Sequence, residues 1–464
     1  MAGVSDLTAS ELAREYGRGE RSPVEVTRAI LGHIENWEPR INAMYRLHRD
    51  AALAQARASE ERWRAARPLS PLDGVPVTIK ENIYTRGDPS PVGTRANEDA
   101  PPQNADAPPA ARLREGGTVI LGKTTMPDFG MLSSGVSSLH GVTRNPWRPD
   151  RNPSGSSSGA GAAAAAGYGP LHVATDIGGS LRLPAAHCGV FALKPSLGRV
   201  PIYPPFMGRV AGPMTRSVAD AAALLTVLAR PDERDYSRLP YEERDFSAGL
   251  NAFEPKGVRI AFLPDTGVGL PVHPEVRAVV EAAAGELAGA GCIVEPIRSF
   301  LTAEMLEGWC RFFETRSYNE LMQLSSTRRS RILPFVTEWC TWRSGRFSAA
   351  ELMNAYTQMM AMREAAAGMS TLYDFVLSPT SPIPSYAAEV AAPSEDPHNA
   401  LPHIAFTVAY NVSEQPAASV NWSYSTEGLP IGIQIAGQRF DDAGVLRMCQ
   451  LIEKIRPPQR HWPG

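Results

Sequence analysis

Residues 152–182, NPSGSSSGAGAAAAAGYGPLHVATDIGGSLR, decide how this chain is read. Two serine and glycine clusters are separated by an alanine run and a short apolar segment. Alanine has the highest helix propensity, and Ser156, Ser157 and Ser158 just before the run are good N-cap residues, so a serine-lined loop enters a helix. Residues 171–174 predict a short buried strand ending at Thr175 and Asp176, followed by a tight loop at Gly178, Gly179 and Ser180. Glycines let consecutive amides there turn toward one point, the geometry of an anion hole. Amides beside Ser180 would stabilise an oxyanion, a contribution of roughly 3 to 4 kcal/mol per donor in acyl-transfer enzymes. Flanking apolar segments favour a buried active loop over a flexible Ser/Gly linker.

A nucleophilic serine needs a base. Upstream, SPLDGVPVTIKENIYTRG predicts a strand over 75–79 with Lys80 at its end. An ammonium that faces a core there must be paired or neutral, although a surface lysine gives the same pattern. The nine histidines include no H-E-x-x-H or H-x-H pair. His172 and His187, near the serines, read as core or supporting groups. Lys80 remains as the base, in a serine–lysine arrangement. Bringing its pKa from about 10.4 to near 7.5 takes roughly 4 kcal/mol of differential environment, within reach of a desolvated site. Ser156 is placed to relay the proton between Lys80 and Ser180.

Two further motifs compete with this reading. Gly155-Ser156-Ser157-Ser158-Gly159 fits the G-x-S-x-G elbow of α/β-hydrolase esterases, with Ser157 as nucleophile. That elbow needs a preceding apolar strand, whereas NPWRPDRNP carries three prolines. Gly159, Gly161 and Ala164 fit a dinucleotide fingerprint that lacks its strand for the same reason. The five cysteines form no Cys-x-x-Cys pair, so neither a disulfide framework nor a zinc site is expected. No metal and no cofactor are implied.

The 464 residues are 43% hydrophobic and 20% charged with net charge -3, an ordinary globular composition with no electrostatic affinity for nucleic acid or anionic membrane. The N-terminus has no signal-peptide core and no run of 18 apolar residues occurs, so a cytoplasmic protein is expected. Residues 1–67 predict an N-terminal helical segment packed on the core, with Asp6 or Thr8 and Ser22-Pro23 as start signals. Residues 68–464 alternate strands and helices, the pattern of one large α/β domain. Residues 131–147 are expected to wall the pocket, anchored by Met131, Leu132, Leu139 and Trp147. Residues 300–368, mostly helical and rich in aromatics, are expected to cap it.

The motifs LDGVPVTIKEN, GKTTMPDFG, TRNPW, TDIGGSLRLPAAHCGVFALKPS, GPMTRSVADAA, EQPAASV and GLPIGIQIAG, together with the serine–glycine core, span nearly the whole chain. In this order they resemble the amidase signature enzymes. That resemblance implies a single α/β domain with a central mixed sheet covered by helices. It also implies a triad of Ser180 as nucleophile, Ser156 as bridging serine on a cis peptide after Gly155, and Lys80 as base. The backbone amides of Ile177, Gly178, Gly179 and Ser180 would form the oxyanion hole, with Asp176 and Arg182 as a supporting pair. Gly130, Met131 and Ser133 are candidates for the substrate pocket.

The implied reaction is hydrolysis of a carboxylic amide through an acyl-enzyme, extending to aryl amides, esters or carbamates. Family members that serve as glutamine-hydrolysing subunits of amidotransferases carry a tyrosine-rich stretch not seen in TEWCTWRSGRFSAAELMNAYTQMM. The expectation is therefore a free-standing enzyme that meets a small amide and water, without nucleic acid or membrane and with a homodimer left open. The Ser157 esterase and the partner-dependent amidotransferase subunit stand as alternatives.

Overall fold

The computed structural model describes residues 3–463. Its strands are β1 (Met44–Leu47), β2 (Pro76–Lys80), β3 (Val119–Thr124), β4 (Val136–Ser137), β5 (Gly141–Val142), β6 (Leu171–Asp176) and β7 (Phe191–Lys194). They continue with β8 (Val210–Thr215), β9 (Arg259–Phe262), β10 (Ile293–Pro296), β11 (Phe375–Pro379), β12 (Ala417–Tyr424) and β13 (Pro430–Gly437). All but the β4–β5 pair join one sheet in the order β1-β3-β2-β6-β8-β7-β12-β13-β11-β9-β10. Strands β3, β2 and β6 run parallel, β6 through β11 pair antiparallel, and β9 and β10 extend the far edge in parallel with β11. The sheet is mixed, and every residue of β2, β3, β6, β8 and β13 is buried. Covered strands of this kind read as near-continuous apolar runs.

The parallel β2 and β6 place the site. Their C-terminal ends, Lys80 and Asp176, emerge on the same edge of the sheet, where loops that follow parallel strands collect functional groups. Before β6 comes helix Ser158–Ala166, and after its loop comes helix Arg182–Cys188. These helices and neighbouring strands share a core of small side chains, including Ala160, Ala164, Ala185 and Cys188. A Cβ on Gly161 would stand 3.0 Å from Pro184 Cβ, so the small-residue run permits close packing.

The N-terminal segment forms helices Ala9–Arg18, Pro23–Ile41 and Arg49–Arg64. Thr8 and Ser22 each close a capping box, and Pro23 occupies the first turn of its helix. Leu12, Ile30 and Ile34 pack in the same core as Val77, Ile79 and Leu171. Between the second and third helices lies β1, an edge strand that the helical pattern did not announce. Four residues are too few to show a period.

Residues 300–368 form helices Ala303–Met322, Ser326–Arg329, Pro334–Thr341 and Ala349–Met369. Their Trp309, Phe313 and Trp339 build a second core with Met131, Leu132 and Ile404. Of the expected anchors in 131–147, Trp147 lies elsewhere, against Tyr424 and Trp462, because its indole Nε1 donates to Cys188 O. No helix among the described residues is long and apolar enough to cross a membrane.

Candidate active site

Three side chains from separate elements meet at this edge. Lys80 Nζ donates to Ser156 Oγ at 2.8 Å, and Ser156 Oγ donates to Ser180 Oγ at 3.0 Å. Exposure rises along the line, from 0% at Lys80 and 4% at Ser156 to a half-buried Ser180. Burial, with a smaller contribution from the Arg209 cation, brings the Lys80 pKa down to about 7. Asp176 and Glu81 oppose this from a distance, and no carboxylate among the described residues pairs with the amine. A lysine of this kind holds a substantial neutral fraction at neutral pH and is able to accept a proton.

The Gly155–Ser156 peptide is cis. A Cβ at Gly155 would fall 2.6 Å from the backbone N and O of Ser134, so only glycine lets the two chains approach. Ser157 points elsewhere. Its Oγ accepts from Lys80 Nζ at 3.0 Å and donates to Thr175 O at 3.1 Å, fully buried and away from the pocket wall. No strand precedes it, so the elbow geometry that the Ser157 esterase requires is absent among the described residues.

After β6 the chain turns sharply around one carboxylate. Asp176 accepts from the amides of Gly179 at 2.8 Å and Leu181 at 3.1 Å, and from Arg182 Nε and Nη2 at 3.1 Å each. Burial alone would raise its pKa, but Arg182 and Asn411 hold the carboxyl well below the usual range. Arg182 also donates to Thr407 O, Gln434 Oε1 and Asn411 Oδ1, so this fully buried ion pair is saturated with hydrogen bonds. Thr407 Oγ1 donates to Gly178 O at 2.6 Å and pins the loop from the other side.

This network amends the expected oxyanion hole. The Gly179 N–H is engaged by Asp176, whereas those of Ile177, Gly178 and Ser180 have no acceptor among the described residues. Gly179 adopts φ +133, and a Cβ there would lie 2.6 Å from Thr407 Oγ1, so its role is conformational. His172 bonds Thr78 and Gly169 within the core and His187 bonds Ser381, and burial lowers both to about 3 and about 4 respectively.

Ser156 and Ser180 open into a pocket of about 210 Å³ whose wall includes Gly130, Phe129, Tyr84, Arg209 and Arg316. Met131 and Ser133 line a smaller apolar recess of about 20 Å³ that also reaches Ser180 and Gly130, with Trp309 and Phe313. Sequence reasoning missed Arg209 and Arg316. Neither sits in a motif, and only the fold brings them beside the serines.

The matching family model, Amidase, covers residues 25–446. The chain belongs to the amidase family. The A subunit of glutamyl-tRNA(Gln) amidotransferase from Myxococcus xanthus is 34% identical over 97% of each chain. Its counterpart in Chloroflexus aurantiacus is also 34% identical, over 98% of each. Among solved structures, a bacterial aryl acylamidase of the amidase signature family superposes with TM-score 0.89 at 27% identity, covering 97% of this chain and 96% of its own. The 6-aminohexanoate cyclic dimer hydrolase superposes with TM-score 0.86 at 26% identity over 98% of each chain.

These likenesses support the expected amidase signature fold and an enzyme acting on amides. They overturn the expectation about partners. Amidase relatives aligned along almost the whole chain are named as subunits of an enzyme whose name carries a tRNA, so a small amide and water do not bound the partners to be considered.

Proposed function

We propose that this chain cleaves a carboxamide C–N bond through an acyl-enzyme on Ser180, as the amide-hydrolysing subunit of an amidotransferase assembly. The relay Lys80–Ser156–Ser180, ending at an accessible hydroxyl beside three unpaired amides, carries the chemical part. Likeness to an amidotransferase subunit along 97% of both sequences supports the assembly.

Neutral Lys80 takes the Ser156 proton while Ser156 takes that of Ser180. The Ser180 Oγ adds to the carbonyl carbon, and the amides of Ile177, Gly178 and Ser180 hold the oxyanion that forms. As the C–N bond breaks, the Lys80 ammonium returns a proton through Ser156 to the leaving nitrogen, which departs as neutral ammonia or amine. Water then adds to the acyl-enzyme by the same relay and frees the carboxylate. In an amidotransferase the released ammonia passes to an acceptor held elsewhere in the assembly.

The test is ammonia release from glutamine and from simple amides, by the chain alone and co-purified with its partner subunits. The proposal expects release from glutamine that rises with the partners and disappears in Ser180→Ala. Full activity of the isolated chain on aryl amides, unchanged by partners, would overturn the subunit reading while leaving the acyl-enzyme intact.

A further inference from the structure

The reaction pocket and an outer vestibule of about 490 Å³ share Pro204, Arg209, Arg316 and Glu320 in their walls. Two of the three charges at this neck satisfy each other. Arg316 donates to Glu320 Oε1 at 2.6 Å, one turn along helix Ala303–Met322, and lies over the Phe206 ring at 4.3 Å. Asp176, also on the pocket wall, is saturated by Arg182, Asn411 and two amides. Arg209, just before β8, differs from these. Its guanidinium has no hydrogen-bond or ion-pair partner among the described residues, and it is half-buried.

A guanidinium presents five N–H donors and no acceptor, and it keeps its charge at any working pH. Burial and the nearby Arg316 push Arg209 down to about 10, which still leaves it cationic at neutrality. A half-buried cation that lines two cavities and has no counterion is open to an anion arriving from either of them. Its planar fork matches a carboxylate in two-point contact. An additional effect of Arg209 is to disfavour the ammonium form of Lys80, but burial is the larger cause there, so this does not account for the residue. Because Glu320 is held by Arg316, the free charge at the neck is positive, which selects an anionic substrate group over a cationic one.

We infer that Arg209, at the neck between reaction pocket and vestibule, receives the carboxylate of the amide substrate and sets specificity for it. This rests on the reading that the amide is cleaved at Ser180. A pocket of about 210 Å³ suits a short chain between amide and carboxylate.

Binding separates this inference from catalysis. In a Ser180→Ala background, succinamate and butyramide, a short amide with and without a carboxylate, are titrated by calorimetry or ligand-observed NMR. Succinamate is expected to bind at least about tenfold more tightly, the scale of a charged hydrogen-bonded contact. Arg209→Gln, checked for a native melting profile, is expected to erase that preference, and Arg209→Lys to retain part of it. Equal affinities, no binding of succinamate into the tens of millimolar, or a preference that survives Arg209→Gln would each overturn the inference. Fluorophosphonate labelling of Ser180 in the unmutated chain tests the underlying reaction separately, so failure of one is distinguishable from failure of the other.

Discussion

Lys80 Nζ lies 2.8 Å from Ser156 Oγ in a fully buried position, and no carboxylate among the described residues neutralises it. Its proton affinity is governed by desolvation, which favours the neutral amine as pH rises through about 7. The value of kcat/KM is therefore expected to fall about tenfold per pH unit below that point, as the base is protonated. Lys80→Ala should lower it by about 10² to 10⁴ at pH 8 and remove that limb of the profile. Initial rates from pH 5.5 to 9 on both proteins check this, and an unchanged acid limb in the variant would contradict it.

Ser156 and Ser157 both accept from Lys80, but only Ser156 continues to Ser180. Ser156→Ala is expected to reduce kcat by about 10² to 10⁴, the range of a lost proton-transfer step. Ser157→Ala removes its bonds to Lys80 Nζ and Thr175 O and should lower kcat by about thirtyfold or less, in keeping with two hydrogen bonds of about 1 kcal/mol each. Rates of the two variants side by side give the answer, and a reversed order would return the elbow serine to consideration.

Much of this site was legible because its members are local signals. Gly-Gly-Ser after an apolar run announced the turn at 178–180, whereas Lys80 at the end of a β-prone run fitted a surface lysine as well as a buried amine, and it is the covered strand β2 that buries it. What stayed hidden is long-range. That Asp176 takes the Gly179 amide depends on a turn whose far side is pinned by Thr407, in a segment more than two hundred residues away. Arg209 follows Gly208 in an irregular stretch with no periodicity, and only the packing of helix Ala303–Met322 against it makes it part of a pocket. Strand β1 is short and flanked by helices, so its pairing with β3 could not be inferred locally.

The Asp176–Arg182 pair is fully buried. Asp176→Ala would leave the guanidinium uncompensated and free the Gly179 and Leu181 amides, with an expected stability loss of about 3 to 5 kcal/mol. Urea denaturation measures it. A loss under about 1 kcal/mol would show that the pair does not hold the loop.

Burial also lowers Lys123 and Lys194 from 10.5 to about 7. In these lysines the unfolded chain binds more protons than the folded chain above that point, so stability rises with pH. Each contributes a slope of up to about 1.4 kcal/mol per pH unit between about pH 7 and 8, below the pKa of about 8.5 at which unfolded thiols titrate and oppose it. Lys123→Met should flatten the slope by one lysine's share. Urea melts at pH 7.0, 7.5 and 8.0 on both proteins test this, and a stability that falls across the window would contradict the sign.

The most direct test of the account is intact-mass analysis with peptide mapping after exposure to a fluorophosphonate. An adduct on Ser180 that forms in the unmutated chain and is lost in Lys80→Ala is the predicted result. An adduct on Ser157, or labelling of Ser180 that persists undiminished without Lys80, would contradict it.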